Sequence, residues 1–129
     1  MQNQKTTNIT IENKKSVLRI LEHNILHILY ADNIVLEIKD INELYTSYNA
    51  LPDPRPLKVL SEMGDFISIT TEARNYGAEI SPDLTKLAYV VKGLSQRLLL
   101  KFYIKMMKRK KPTKVFNNFD AAYAWLIEE

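Results

Sequence analysis

The chain of 129 residues is 46% hydrophobic and 26% charged, with a formal net charge of +3, and this composition is typical of a single globular domain. It contains no cysteine, which excludes a disulfide framework, a thiolate metal site and a thiol nucleophile. The residues after Met1 form no apolar signal core, and no segment reaches transmembrane length, so we expect a cytoplasmic protein.

The first half of the chain predicts a polar tail, a β-hairpin and an amphipathic helix. Residues 1–15 show no hydrophobic period, so we expect a flexible N-terminal tail. Apolar runs over residues 16–21 and 25–30 flank a turn at residues 22–24, which predicts a hairpin because its Asn tolerates left-handed backbone. Over residues 34–51 the apolar positions recur every three or four residues, which indicates a helix that the following prolines end.

The second half of the chain alternates strands with helices. Strands are predicted over residues 57–63, 84–91 and 113–116, and helices over residues 71–80, 95–110 and 120–128. Such alternation favours a parallel sheet. We therefore predict one α/β domain over residues 16–129, in the order β-β-α-β-α-β-α-β-α. Its mixed, mostly parallel sheet has about five strands and flanking helices.

Four segments carry a resemblance to a known family. They are the hairpin at 17–30, Ile-Thr-Thr-Glu-Ala-Arg at 69–74, Lys-Leu-Ala-Tyr-Val-Val at 86–91, and the ending at 112–116 with 119–126. Together they resemble a STAS-like domain, the fold of anti-sigma-factor antagonists and of the cytoplasmic tails of sulfate transporters. Small uncharacterised bacterial STAS-like proteins are more similar still. The resemblance covers about residues 16–128 and implies a STAS-like fold.

The resemblance also points to a switch loop. Anti-sigma-factor antagonists carry a phosphorylatable Ser after an Asp, where the third strand leads into the next helix. Residues 64–71 occupy that place here, without an Asp-Ser pair, and the nearest candidates are Asp65, Ser68, Thr70 and Thr71. A phosphate would add nearly two negative charges at a helix N-terminus. Alternatively, Thr70 or Thr71 simply caps the helix.

A basic segment is the strongest hint of a partner. Residues 84–115 hold ten Lys and Arg and no Asp or Glu, whereas the rest of the chain holds 8 basic and 15 acidic residues. The helix predicted over residues 95–110 places cations on one stripe and apolar residues on a broad opposite face. The candidate binding surface consists of Arg97, Lys101, Lys105, Lys108 and Arg109.

Three interpretations of this stripe stay open. The cations could form a solvated face above a core-facing apolar stripe. They could contact a protein or an anionic lipid surface. Nucleic acid is the weakest candidate, since the sequence shows no aromatic platform within a recognised nucleic-acid motif. The apolar face is broader than a helix on a sheet needs, which favours its covering a neighbouring subunit or a pocket between helix and sheet.

Catalytic and metal-binding patterns are weak. His23 and His27 are four residues apart, a metal-binding spacing on a helix, but a turn separates them and no third ligand is evident, so ordinary surface or strand histidines are the better interpretation. The 3 glycines are widely separated, and the sequence contains neither a glycine-rich phosphate loop nor a nucleophile elbow. We therefore expect a non-enzymatic protein without a cofactor or metal.

The sequence favours a cytoplasmic regulatory or scaffolding module that binds another protein, and the resemblance implies a relation to anti-sigma-factor-antagonist signalling. The expected contact surfaces are residues 64–71 and 97–111. A homodimer is also considered, since closed dimers are common. The alternative is a small-molecule or lipid-binding module with a basic membrane-facing helix. That alternative predicts an apolar pocket with converging polar groups beneath the long helix, whereas a filled core favours the protein partner.

Overall fold

The structure, a computed structural model, describes residues 6–107 and 111–128. The described residues contain eight strands: β1 Thr6–Glu12, β2 Ser16–Leu21, β3 Ile25–Tyr30, β4 Val35–Leu36, β5 Lys58–Glu62, β6 Ser68–Ile69, β7 Lys86–Val90 and β8 Thr113–Phe116. The same residues contain four helices: α1 Ile38–Asn49, α2 Thr71–Ile80, α3 Leu94–Met107 and α4 Phe119–Ile127.

A mixed sheet forms the centre of the domain. Six strands lie in the order β1-β2-β3-β5-β7-β8. The first two pairings are antiparallel, and the pairings of β3 with β5, β5 with β7, and β7 with β8 are parallel. Each parallel pairing needs a crossover, and these crossovers contain α1, α2 and α3 in turn. The predicted single α/β domain with a mixed sheet is thus confirmed, with six strands in this sheet instead of about five.

The N-terminal prediction needs a correction. A flexible tail was expected over residues 1–15, but residues 6–12 form β1 and pair with β2. Ile9 and Ile11, two residues apart, pack against the core. A strand directs alternate side chains to one face, so these two isoleucines anchor the core side of an otherwise polar edge strand that pairs with β2.

Two further strands were not predicted. β4 and β6 are two residues long and pair in parallel as a separate small sheet. Because β4 takes residues 35–36, α1 begins at Ile38 and not near residue 34. The backbone amide of Glu37 donates to Oδ2 of Asp40 at 2.8 Å and so closes the first turn of α1.

Hydrophobic clusters lie on opposite faces of the six-stranded sheet, because alternate strand residues point to opposite sides. One cluster joins Leu26, Ile28 and Leu87 to Tyr48 of α1. The other is built from the alternate strand positions, such as Leu60 and Val90, and from Ala122 and Leu126 of α4. The first face also carries Tyr30 and Tyr89, which border a cavity together with residues of α2 and α3. Three helices therefore share one face, and α4 covers the other.

Candidate functional site

The segment expected to act as a switch loop is tied to the connection between β3 and α1. The backbone amide of Asp65 donates to Oδ1 of Asp32 at 2.6 Å, and the amide of Asn33 donates to the Asp65 carbonyl at 2.8 Å. The amide of Ser68 donates to the Ile34 carbonyl at 3.1 Å, within the β4–β6 pair. Residues 64–71 thus form an ordered connection with its own backbone hydrogen bonds.

The hydroxyl groups of this segment have different roles. Thr70 is the N-cap of α2, and its Oγ1 accepts from the Ala73 amide at 3.0 Å, so the capping interpretation applies to Thr70. Thr71, the first residue of α2, is exposed, as are Ser68 and Asp65. A role of these four residues in phosphorylation or switching stays a prediction.

The outward side of α3 is apolar. Leu94, Leu98, Leu99 and Phe102, which we call the outer face of α3, are between 54% and 63% exposed. Leu94, Leu98 and Phe102 follow one another at single-turn spacing and so form a line along the helix. The sequence placed Leu98, Leu99 and Phe102 on the broad apolar face of this helix and left open whether that face covers the core, a neighbouring subunit or a pocket. Leu98, Leu99 and Phe102 are exposed to solvent. The side of α3 that faces the protein is formed by the partly buried residues Leu100, Tyr103 and Ile104.

Three of the five residues of the candidate basic surface lie within the described part of the chain. Lys101 and Lys105 are exposed and neighbour Leu98 and Phe102, respectively, at three-residue spacing on α3. Arg97 is different, since its Nη1 donates to the carbonyls of Val91 at 3.1 Å and Lys92 at 2.6 Å. Its guanidinium therefore anchors the chain after β7 and is not part of an open basic stripe. Lys108 and Arg109 lie outside the described residues.

Other cations of the basic segment also bind backbone carbonyls. Lys86 Nζ donates to the carbonyls of Trp125 at 2.8 Å and Glu128 at 3.0 Å, which fixes the end of α4 against β7. Lys111 Nζ donates to the Pro82 carbonyl at 2.8 Å. Three cations of this segment, Lys86, Arg97 and Lys111, are therefore bound to backbone carbonyls within the fold.

A cavity of about 420 Å³ lies between α2, α3 and the sheet. Most of its lining is apolar, and it includes Ala78 of α2 together with Leu100 and Ile104 of α3. Its polar lining residues are Tyr30, Ser68, Arg74, Tyr89, Gln96 and Tyr103. Within the described part of the chain, its lining contains no Asp or Glu. We call this space the α2–α3 cavity.

Arg74 is the one cation among the described lining residues. Its guanidinium carbon lies 4.7 Å from the centre of the Tyr103 ring, a cation–π arrangement. The ion pairs found among residues 6–107 and 111–128 do not include Arg74. Burial, with a smaller contribution from Tyr89, raises the pKa of Tyr30 above its ordinary value of 10.0, so the Tyr30 phenol keeps its proton at neutral pH.

The opposite face of the sheet carries a polar network that the sequence did not reveal. Arg19 Nε donates to Nδ1 of the buried His27 at 3.0 Å, and Nε2 of His27 lies 2.8 Å from Oε1 of Glu62. Since Nδ1 accepts, Nε2 carries the proton and donates to the carboxylate. This hydrogen bond is the largest influence on Glu62 and, against the effect of burial, holds its pKa below the ordinary value.

The two histidines do not form a common site. His23 lies in the turn between β2 and β3 with a φ of 67°, and its Nδ1 lies 3.0 Å from the Tyr123 hydroxyl. His27 belongs to the polar network of the strands. Over residues 6–107 and 111–128, no group of three or more His, Asp or Glu side chains is arranged to hold a metal ion. In the same residues, no helix is long and apolar enough to cross a membrane.

Comparison with known proteins bears on the fold. The model of a family described as a domain of unknown function, DUF7793, matches residues 19–128. A solved structure of an uncharacterized DUF3478-family protein with a SpoIIAA-like fold, from Shewanella loihica PV-4, aligns over 98% of this chain and 97% of that chain, with 11% identity and a TM-score of 0.60. None of the curated proteins matches the chain. The structural likeness confirms the predicted STAS-like fold, of which the SpoIIAA-like fold is an example.

Proposed function

We propose that this chain, which belongs to the DUF7793 family and has a SpoIIAA-like fold, is a non-enzymatic, cytoplasmic regulatory or scaffolding module that binds another protein. A fold alone does not determine a function, so the proposal depends on a surface. The observation that carries it is the outer face of α3, where four large apolar side chains are each more than half exposed.

The arrangement of these side chains is typical of a contact surface. Single exposed apolar residues are common, but contiguous apolar patches with a polar rim mark interaction sites. Leu94, Leu98 and Phe102 form such a line, and Lys101 and Lys105 flank it on one side. Burying these apolar side chains against a partner would supply a hydrophobic driving force, and the lysines would select the partner's charge.

The surface best fits an amphipathic helix with acidic residues beside its apolar stripe. Two helices pack by fitting the side-chain ridges of one into the grooves of the other, and the line on α3 provides such a ridge. A two-fold pairing of two copies would use the same patch twice. It would place Lys101 and Lys105 of both copies in one interface, which disfavours a homodimer relative to an acidic partner.

The connection between β5 and α2 borders the same region. Ser68 lines the α2–α3 cavity together with Leu99, which also belongs to the outer face of α3. Phe66, two residues before Ser68 in the chain, is 76% exposed. A phosphate on Ser68 would add negative charge beside the edge of the cavity that Leu99 also lines, and so change the affinity of the proposed contact surface for an acidic partner.

Affinity capture from the native cell lysate tests this proposal. The tagged protein is compared with the double variant Leu98→Ser, Phe102→Ser, and captured proteins are quantified by mass spectrometry at two salt concentrations. Leu57→Ser is the matched control, because Leu57 is 48% exposed and does not belong to α3. We expect a partner with an acidic amphipathic helix that the control retains and the double variant loses.

The captured partner is then produced as a purified protein and titrated against the same variants. Equal affinity for the wild type and the double variant would contradict the proposal. Sedimentation of the wild type alone tests the homodimer, and a dimer that the double variant abolishes would assign the outer face of α3 to self-association.

The α2–α3 cavity favours a second candidate, a small-molecule or lipid-binding module. Its volume of about 420 Å³ is within the usual range of ligand sites, which are mostly apolar with a few placed polar groups. The apolar lining of the cavity beside α3 supports this alternative, for which the sequence predicted an apolar pocket beneath the long helix, and the basic membrane-facing rim stays a prediction. Both functions are compatible, because α3 directs Leu100 and Ile104 to the cavity and Leu94, Leu98 and Phe102 to solvent.

A further inference from the structure

We propose that the α2–α3 cavity binds an amphiphilic anion, with the apolar body of the ligand among the helices and its charged head group at Arg74. This inference rests on the second candidate function and is independent of the protein partner. The proposed ligand class is an amphiphilic anion, and the residue that would recognise its head group is Arg74.

The lining of the cavity selects an apolar ligand body. Ile41 of α1, Met63 after β5, and Leu100 and Ile104 of α3 surround the space. The apolar body of a ligand, such as an alkyl chain or a ring system, would leave water on entering the cavity and gain contacts with these side chains. The volume of about 420 Å³ is sufficient for a ligand of ordinary metabolite or short-lipid size.

Arg74 gives the cavity its charge preference. The guanidinium lies over the Tyr103 ring, which restricts its orientation, and no ion pair with a carboxylate occupies it within the described residues. Arginine presents a planar set of donors that matches a carboxylate or phosphate in two parallel hydrogen bonds. Because the described lining contains no carboxylate that would compete for Arg74, an anionic head group is the counter-charge that this half-buried guanidinium would accept.

Highly polar anions fit the cavity less well. A nucleotide or a sugar phosphate would need many hydrogen-bonding partners, but the described lining offers Arg74, Ser68, Gln96 and three tyrosines among mainly apolar residues. Buried polar groups without partners are costly. A ligand with a single anionic head on an apolar body carries few polar groups that need partners, and it is therefore the class of ligand that this mostly apolar lining suits.

Calorimetric titration with three probes of equal chain length tests the inference: dodecanoate and dodecyl phosphate below their micellar concentrations, and the neutral dodecanol below its solubility limit. We expect the wild type to bind at least one anionic probe more tightly than dodecanol. Arg74→Gln should weaken anion binding by about tenfold or more, the usual effect of losing a charge-assisted hydrogen bond, and leave dodecanol binding unchanged.

Two further variants separate ligand binding from folding. Ala78→Trp places a large side chain at the exposed edge of the cavity that Ala78 lines and should weaken binding of all three probes. Ala124→Trp, at an exposed position of α4, is the matched control and should bind as the wild type does. Thermal unfolding of each variant confirms that the fold is retained.

The outcomes distinguish the inference from the function on which it rests. If the wild type binds none of the probes, both are rejected. If it binds dodecanol as tightly as the anions, or if Arg74→Gln weakens all three equally, the ligand-binding function stands and the role of Arg74 is rejected. Tighter binding of dodecyl phosphate than of dodecanoate supports the inference and assigns a phosphate head group.

Discussion

Nε2 of His27 lies 2.8 Å from Oε1 of Glu62, and this hydrogen bond joins β3 to β5, where the sheet changes from antiparallel to parallel pairing. Arg19 donates to the other ring nitrogen of His27. All the hydrogen-bonding groups of the buried imidazole are thus satisfied, which a buried polar side chain requires. The network stabilises this part of the sheet, and its geometry leads to a pH-dependent prediction.

Acid should destabilise the protein in part through Glu62. Its pKa in the folded protein lies below the ordinary value of 4.5, so the unfolded chain binds the proton more readily. Ionised Glu62 therefore contributes stability above pH 4.5, and this contribution is lost as the pH falls through the lowered folded value. Urea unfolding followed by circular dichroism over this pH range should show a smaller acid-dependent loss of stability for Glu62→Gln than for the wild type.

Glu79→Gln provides the control for this measurement, since Glu79 is exposed on α2 and makes no ion pair within the described residues. It should follow the wild-type pH dependence. An identical acid-dependent loss in Glu62→Gln and the wild type would show that the hydrogen bond from His27 contributes nothing to acid stability.

Arg97 should matter for stability, whereas Lys101 should not. Arg97→Gln removes the donor to the carbonyls of Val91 and Lys92, and we expect a loss of about 1–3 kcal/mol in the free energy of unfolding. Lys101→Gln changes an exposed cation on the same helix and should stay within about 0.5 kcal/mol of the wild type. Urea denaturation measures both, and equal effects of the two substitutions would contradict the anchoring role of Arg97.

Thr70 and Thr71 should contribute differently to the stability of the protein, although they are adjacent and chemically identical. Thr70→Ala removes the cap on the Ala73 amide, which typically costs about 1 kcal/mol. Thr71→Ala changes an exposed residue of the first turn and should cost less than about 0.5 kcal/mol. Thermal unfolding distinguishes them, and Thr70→Ser should recover most of the loss because its hydroxyl can also accept from Ala73. A smaller effect at Thr70 than at Thr71 would exclude the cap.

The elements that the sequence predicted well have strong local signals. The predicted bounds of α2, residues 71–80, and of β8, residues 113–116, agree with the structure. A threonine cap and a following Ser81-Pro82 delimit α2, and Pro112 precedes β8. Such signals depend on the residues next to them in the chain, so one sequence is enough to place them.

The features that were missed depend on distant neighbours. β4 and β6 are too short for a hydrophobic period and exist because they pair with each other. Glu62 meets His27 only when β3 and β5 lie side by side. Within α3, the run Leu98, Leu99 and Leu100 surrounds much of the helix with apolar side chains, so periodicity could not decide which of them faces the core.

Gly64 and Gly77 differ in the space that surrounds them. A Cβ at Gly64 would lie 2.5 Å from Oδ1 of Asp32 and 2.7 Å from the backbone oxygen of Ala31. The carboxylate of Asp32 cannot move away freely because its Oδ1 accepts from the Asp65 amide. Gly64→Ala must therefore displace backbone or break this hydrogen bond, and we expect it to lower the free energy of unfolding by about 1–3 kcal/mol.

Gly77→Ala should instead raise the free energy of unfolding. Gly77 lies within α2, and the nearest atom to its added Cβ would be Cγ2 of Ile41 at 3.6 Å, an ordinary contact. Alanine restricts the unfolded chain and favours the helix, so we expect a gain of about 0.5–1 kcal/mol. Urea unfolding of both variants tests the pair. A destabilised Gly77→Ala, or a Gly64→Ala as stable as the wild type, would contradict the packing described here around β5 and α2.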